Sequence, residues 1–377
     1  MRIILDKLLA KLEADNFKGW DVFDGLNSRL FQNSPFYKSR LFRLLWIQFF
    51  KRSPLNFRKL AAVPMGYNAK GLALFIQGLL NLYKLENDDK FLKQAYKLAD
   101  IIISQKAKDR DYFCVGYNFF WEARAFSVPA FTPNIIVSSF VGQAFLDLYD
   151  IDRNEQWLKD AKEIGYFIEK ELILYDSGEK ICFGYIPEKS AVVHNANLMG
   201  ARLFARLFSY TNNKKYKNFS IKSVRFSTKA QRDDGAWVYG ERDHHQWIDN
   251  FHTGFNLIAL SDVQKYLNTK QWQNTINIGL DYHLRNHFLS DMTPKFYDNK
   301  LYPIEIHNFA QGIDTLLTFR YQKKAQKLLK RCIELMWDEK EGYFDYQKTR
   351  LYKNKINYIR WSQAWMFYAL TIMLIET

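Results

Sequence analysis

The strongest constraint on how this chain can fold is a repeat: an apolar segment, a short polar turn, then an amphipathic segment. Leu79-Leu80-Asn81-Leu82-Tyr83 is matched by Phe145-Leu146-Asp147-Leu148-Tyr149. An aromatic follows each Tyr by eight residues (Phe91, Trp157), and an Ala comes four residues later (Ala95, Ala161). Leu207 to Tyr210 with Tyr216, and Val263 to Tyr266 with Trp272, continue the series. Asn68, Asn134, Asn195, His252, His307 and Trp361 open the units, at spacings of 66, 61, 57, 55 and 54 residues. A repeat of this size marks an architecture in which no unit can bury its apolar face alone.

The apolar segments are hydrophobic nearly all round, as helices covered on both sides must be. They predict inner helices at about 68–83, 134–149, 195–210, 252–267, 307–320 and 361–375. The amphipathic segments carry Lys-rich outer faces and predict outer helices at about 89–105, 154–171, 214–230, 270–287 and 321–336. The sixth outer helix must then come from residues 2–15 or 38–51. The expected fold is an all-α, closed (α/α)6 toroid in a single domain, with residues 1–64 closing the ring. An open helical array would need a polar capping repeat, yet the segment from Trp361 to Ile375 is among the most apolar. The 17 Gly and 8 Pro are too few for a turn-rich all-β chain. A hydrophobic content of 48% excludes a disordered one. The three Cys (114, 182, 332) lack CxxC spacing and suit a reducing compartment. No segment reads as a membrane span or a signal peptide.

Inner-helix N-termini present unpaired N–H groups and the positive end of the dipole, and the loops leading into them are polar and aromatic. They carry Trp121, Glu122 and Arg124; His194, Asn195 and Asn197; Trp237, Tyr239, Glu241, Asp249 and His252; His307 and Asn308; and Arg360 and Trp361. Aromatic faces beside Asn, Asp, Glu, His and Arg suit a sugar, with rings stacked on the pyranose and polar groups on its hydroxyls. Asn68, Asn134 and Asn250 are read first as helix caps, and His244 and His245 as surface residues. His194, His252 and His307 recur at equivalent positions, which capping does not require. No spacing marks a metal site, and no metal or cofactor is expected.

Gln231-Arg232-Asp233-Asp234-Gly235-Ala236-Trp237 resembles the Q-x-x-D-G-x-W repeat of the squalene-cyclase and prenyltransferase toroids. The acidic D-x-D-D motif, the zinc set and the Lys/Tyr pyrophosphate cluster of those enzymes are missing from the sequence. A closer resemblance covers nearly the whole chain. The stretches Gly19 to Ser28 (GWDVFDGLNS), Lys51 to Arg58 (KRSPLNFR), Gly116 to Phe119, Val193 to Leu198 and Ile248 to Gly254 are similar to toroid proteins of bacterial capsule, O-antigen and exopolysaccharide clusters. That resemblance implies a surface-polysaccharide pathway. The fold is similar to that of glucuronyl C5-epimerases, glycoside hydrolases and polysaccharide lyases.

The resemblance and the loops together predict a cytoplasmic enzyme acting on a sugar or uronic-acid unit by epimerisation, elimination or hydrolysis. Each reaction needs an acid and a base across the ring. The candidate catalytic residues are Asp249, Glu241, His252, His194, His307 and Tyr239. Arg124 and Arg360 are candidate carboxylate clamps, and Trp121, Trp237 and Trp361 candidate stacking platforms. A non-catalytic glycan-binding component and an isoprenoid-processing toroid are the alternatives. The net charge of +14 suits an acidic, nucleotide-linked or lipid-linked carbohydrate, while no nucleic-acid motif is present. Arg40 to Arg52, aromatic and flanked by cations, reads either as a packed toroid helix or as a peripheral contact with the inner membrane.

Overall fold

Twelve long helices alternate between a buried and a solvated row in the computed structural model, which describes residues 1–122, 127–188 and 191–376. In chain order, α1 is Arg2–Ala14, α2 Arg29–Gln32 and α3 Arg40–Arg52. The pairs that follow are α4 Ala69–Glu86 with α5 Asp89–Ser104, α6 Ile135–Asp152 with α7 Glu155–Glu171, and α8 His194–Thr211 with α9 Lys214–Lys229. Then come α10 Asn250–Leu267 with α11 Gln273–Asn286, α12 Ile306–Thr318 with α13 Gln322–Met336, and finally α14 Trp365–Glu376. Each inner helix packs on the next, and α14 returns to α4, closing the ring. This is the expected (α/α)6 toroid. The α4–α14 seam is close because Gly78 has no side chain: a Cβ there would lie 2.5 Å from the Phe367 ring.

The inner and outer rows are joined by one recurring turn. Asn87, Arg153, Asn212 and Asn268 end four inner helices in the left-handed conformation, at φ 52°, 54°, 52° and 49°. Asp88, Asn154 and Asn213 then cap the outer helices, each accepting from an N–H two residues on. Of the two segments proposed for the sixth outer position, α1 takes it. It buries Leu5, Leu8 and Leu12 and packs on α14.

The α3 helix packs on the Asp24–Asn27 turn and the Trp121–Glu122 strand, not on the ring. The Q-x-x-D-G-x-W segment is structural. Gln231 donates to the Gly235 and Thr275 carbonyls, both at 3.0 Å, and the Trp237 indole donates to Ser227 O at 3.0 Å. Gly235 has φ +94°, and a Cβ would meet Ile278 O at 2.3 Å. Trp237, expected as a platform, is therefore a buried pin between α9 and α11.

At the C-terminal ends of the inner helices, ion pairs seal the floor. Arg206 binds Asp147 at 2.7 Å and Asp150 at 2.9 Å, and Arg202 binds Asp262 at 2.6 Å. No described helix is long and apolar enough to cross a membrane. The three cysteines are free and buried.

Candidate functional site

The opposite end of the ring gathers the inner-helix N-termini. Asp249 takes an extended conformation (φ −118°, ψ 164°) and caps α10, its Oδ1 accepting from His252 N at 2.8 Å. The sequence reading gave that role to Asn250. The helix starts one residue earlier, and Asn250 instead donates to His287 O at 3.1 Å. Asn68 and Asn134 cap α4 and α6 as expected.

The second Asp249 oxygen lies 2.6 Å from His252 Nδ1 and accepts from the Trp247 indole at 3.1 Å. A carboxylate on Nδ1 fixes the tautomer and orients the ring. His252 Nε2 has no partner among the described residues, and the side chain is 22% exposed. Tyr239 stands beside it, ring centroids 4.6 Å apart, and stacks on Trp247 at 4.7 Å. Burial, reinforced by the Asp249 charge, raises the Tyr239 phenol.

His307 is wedged among rings, at centroid distances of 4.7 Å to Phe251, 4.9 Å to Trp361 and 4.8 Å to Trp365. Burial, then Lys70, Arg360 and His252, hold its pKa well below the ordinary imidazole value. Neither ring nitrogen has a partner. Next to it, Glu305 accepts from the Trp361 indole at 2.6 Å through Oε1, and its Oε2 is unpartnered. Burial pushes this carboxyl up to about 7, against the opposing pull of Trp361, Tyr346 and Lys51. Because the folded value lies above the ordinary one of about 4.3, the protonated form favours the fold. Its contribution is full at low pH and is lost as pH rises through about 7. Relative to Glu305→Gln, the wild type should therefore lose about 3 kcal/mol between pH 4.5 and 8, read as diverging urea midpoints. Parallel curves would remove the raised carboxyl.

Glu305 was not among the sequence candidates, and neither were three further charged residues near it, Lys70, Asp21 and Lys51. Lys70 sits on α4 inside an aromatic cage, Nζ 4.4 Å from Phe140, 5.3 Å from Trp365 and 5.4 Å from Phe255. Burial and then the Arg360 charge hold its ammonium well below the usual lysine range. Asp21 takes the fork of Arg360 with two bonds of 2.7 Å, so the guanidinium expected to clamp a substrate carboxylate is held by an internal one. Lys51 lies over Phe23 at 5.0 Å, and Glu305 opposes the lowering of its pKa by burial.

Arg360 also faces the rings of Tyr117 at 4.9 Å and Trp361 at 4.9 Å, and Tyr117 and Tyr185 share a hydroxyl contact of 3.3 Å. Arg360, Tyr117, Tyr185 and Trp361 are thus brought together from separated segments. The helix bearing it opens with a π turn at Ile359–Ala364, a device common at functional sites.

The remaining candidates are dispersed. His194 turns to Ser227 at 3.4 Å, and burial lowers it to about 4. Asn197 is tied to Phe183, Ser223 and Ser227. Asn195 and Asn308 keep buried polar atoms unpartnered. Glu122 is fully buried against Arg40 at 3.2 Å and Arg43 at 2.8 Å. Trp121 is half-buried, 5.8 Å from both Phe23 and Tyr185. Glu241 and His244 are exposed, whereas His245, expected at the surface, is buried. Arg124 lies outside the described residues. No set of three or more metal-ligating side chains converges among the described residues. A groove of about 980 Å³ between Tyr67, Lys108, Phe131 and Pro187 lies apart from the His252 cluster.

No family model and no curated protein matches the chain. Its fold is similar to several solved structures. Cellobiose 2-epimerase from Bacillus thermoamylovorans aligns at TM-score 0.63 and 10% identity, over 82% of this chain and 90% of that one. A family 76 α-mannanase from Bacteroides thetaiotaomicron aligns at TM-score 0.62 and 11% identity, over 82% and 87%. An unsaturated glucuronyl hydrolase specific for heparin aligns at 0.58 and 12% identity, over 83% and 88%. At such identity the likeness establishes the toroid; chemistry has to be argued from the site.

Proposed function

We propose that the chain binds a carbohydrate in the basin at the inner-helix N-termini and moves a proton on its ring, within a bacterial surface-polysaccharide pathway. One observation carries this reading: His252 is held through Nδ1 by Asp249 at 2.6 Å, leaving Nε2 to take or give a proton. Glu305, at about 7, supplies an acid of matched strength. Trp121, Trp361 and Phe23 offer faces for the pyranose, and Lys70 gains charge cheaply when a carboxylate or phosphate enters beside it. Of the reactions considered, epimerisation or elimination at an acidic sugar fits best. Hydrolysis by opposed carboxylates has less support, because Asp21, Asp24 and Glu122 are all bound by arginines. The same locked carboxylates favour a second reading, in which the basin binds a glycan without turning it over. Buried Lys70, Glu305 and Arg360 argue against a hydrocarbon substrate.

The test is mass spectrometry of lipid-linked glycan intermediates from cells lacking the protein. The account expects an accumulated precursor differing by one sugar modification, and an unchanged pool would contradict the enzyme.

A further inference from the structure

The α3 helix is apolar on both sides. Ile47 and Phe50 face inward and are buried, as a packed helix requires. Leu41, Leu45 and Phe49, at i, i+4 and i+8, face outward at 63%, 56% and 46% exposure. Phe42 is also exposed and meets the exposed Phe36 of the preceding turn at 4.8 Å. A second element reaches the same face from some 300 residues away: the Tyr352 hydroxyl donates to Arg52 O at 3.3 Å. The tip of that turn is Leu351, 93% exposed, with Arg350 before it. Isolated exposed leucines need no explanation, but a contiguous apolar face does.

The charge around this face has one sign. From Gly25 to Leu85 the chain has ten Lys and Arg and no Asp or Glu. Arg29, Lys38, Arg52 and Lys59 are exposed among the apolar side chains. A large apolar face ringed by cations, on a helix too short to span, is the composition of an interfacial element.

We infer that the outer face of α3 and the Leu351 turn dock together on an anionic lipid surface. The opposite side of α3 faces toward the inner-helix N-termini: Arg40 and Arg43 hold Glu122 beside Trp121, and Lys51 lies over Phe23, whose ring is 5.8 Å from Trp121 and 6.0 Å from Trp361. Docking therefore sets the sugar site next to the bilayer interface. Resting on the carbohydrate reading above, this names the substrate class as a glycan carried on a lipid, with an acidic linkage reaching the Lys51 side of the basin.

The test is co-sedimentation of the full chain with vesicles of phosphatidylglycerol and phosphatidylcholine, against phosphatidylcholine alone. The wild type should bind the anionic vesicles and be released by salt. Leu41→Ser/Leu45→Ser/Phe49→Ser should lower partitioning at least roughly tenfold. So should Arg52→Glu/Lys59→Glu. Leu351→Ser, on an exposed turn, gives an arm that does not depend on helix stability, and circular dichroism checks each fold. Folded wild type that stays in the supernatant overturns the proposal, as does binding that none of the variants weakens. A lipid-independent dimer lost in the same variants would assign the face to a second copy and overturn it too. None of these variants should alter binding of a water-soluble glycan. A folded wild type that binds the glycan but not the vesicles would thus refute docking alone, and one that binds the vesicles but not the glycan would refute the sugar site.

Discussion

Replacing His252 with Ala should cut formation of the modified lipid-linked glycan by a factor of about 10² to 10⁴ and leave the protein folded. The side chain is 22% exposed, hydrogen-bonds only Asp249 among the described residues and packs beside Tyr239 and Phe251, so its removal should cost a modest part of the stability without unfolding the ring. Asp249→Asn separates two roles of the carboxylate. Asn is as good an N-cap as Asp, so α10 should keep its start. The carboxylate that fixes the imidazole tautomer would be gone, and turnover should fall at a constant fold. The readout is mass spectrometry of the glycan pool in cells carrying each variant, with urea melts on the purified proteins. Full turnover by folded His252→Ala would remove the dyad from the chemistry.

The second large effect concerns the ion pair behind the basin. Arg360 and Asp21 are 339 residues apart in sequence, and their side chains are 2% and 4% exposed. Asp21→Ala leaves a guanidinium buried without its partner, which should cost about 3–5 kcal/mol. Removing both charges with hydrophobic residues of similar volume should restore much of that loss, because the pair also bears the desolvation of two ions. Urea midpoints for Asp21→Ala, Arg360→Met and the double variant Asp21→Leu/Arg360→Met form the test. Additive losses in the double variant would show that the two groups do not act as a pair. A parallel pair, Arg58 with Asp24 at 2.7 Å, anchors the same N-terminal segment, and burial pushes Asp24 up to about 6.

These pairs show where sequence reading works and where it stops. The inner helices were legible because burial on all sides removes the polar stripe, as from Ile135 to Leu148. The turns between rows were legible as short polar runs, in which Asn supplies three of the four left-handed residues and Asp or Asn caps three of the outer helices that follow. Asp249 and His252 were each legible as candidates, but not as a pair, because Asn250 was read as the cap that Asp249 provides. Lys70 was not legible. A single Lys near the start of an apolar helix reads as a solvent-facing residue until the ring closes and surrounds it with Phe140, Phe255 and Trp365. Asp21 and Arg360 were each visible, in separate motifs, but nothing local says that one neutralises the other. Glu305 looked like one more loop carboxylate. Its raised pKa comes from burial supplied by the whole mouth of the ring. Trp237 and His194 failed as cavity candidates for the opposite reason: their motifs serve the seam between inner and outer rows.

The central claim is that His252 exchanges a proton with a sugar carbon in this basin. The most direct test incubates the purified protein with the accumulated glycan precursor in deuterated water and reads its mass. The account predicts incorporation of one solvent deuteron per modified sugar if the reaction is epimerisation, or loss of a ring substituent if it is elimination, and neither with His252→Ala. A precursor that binds the wild type yet keeps its mass, isotopic pattern and stereochemistry would contradict it.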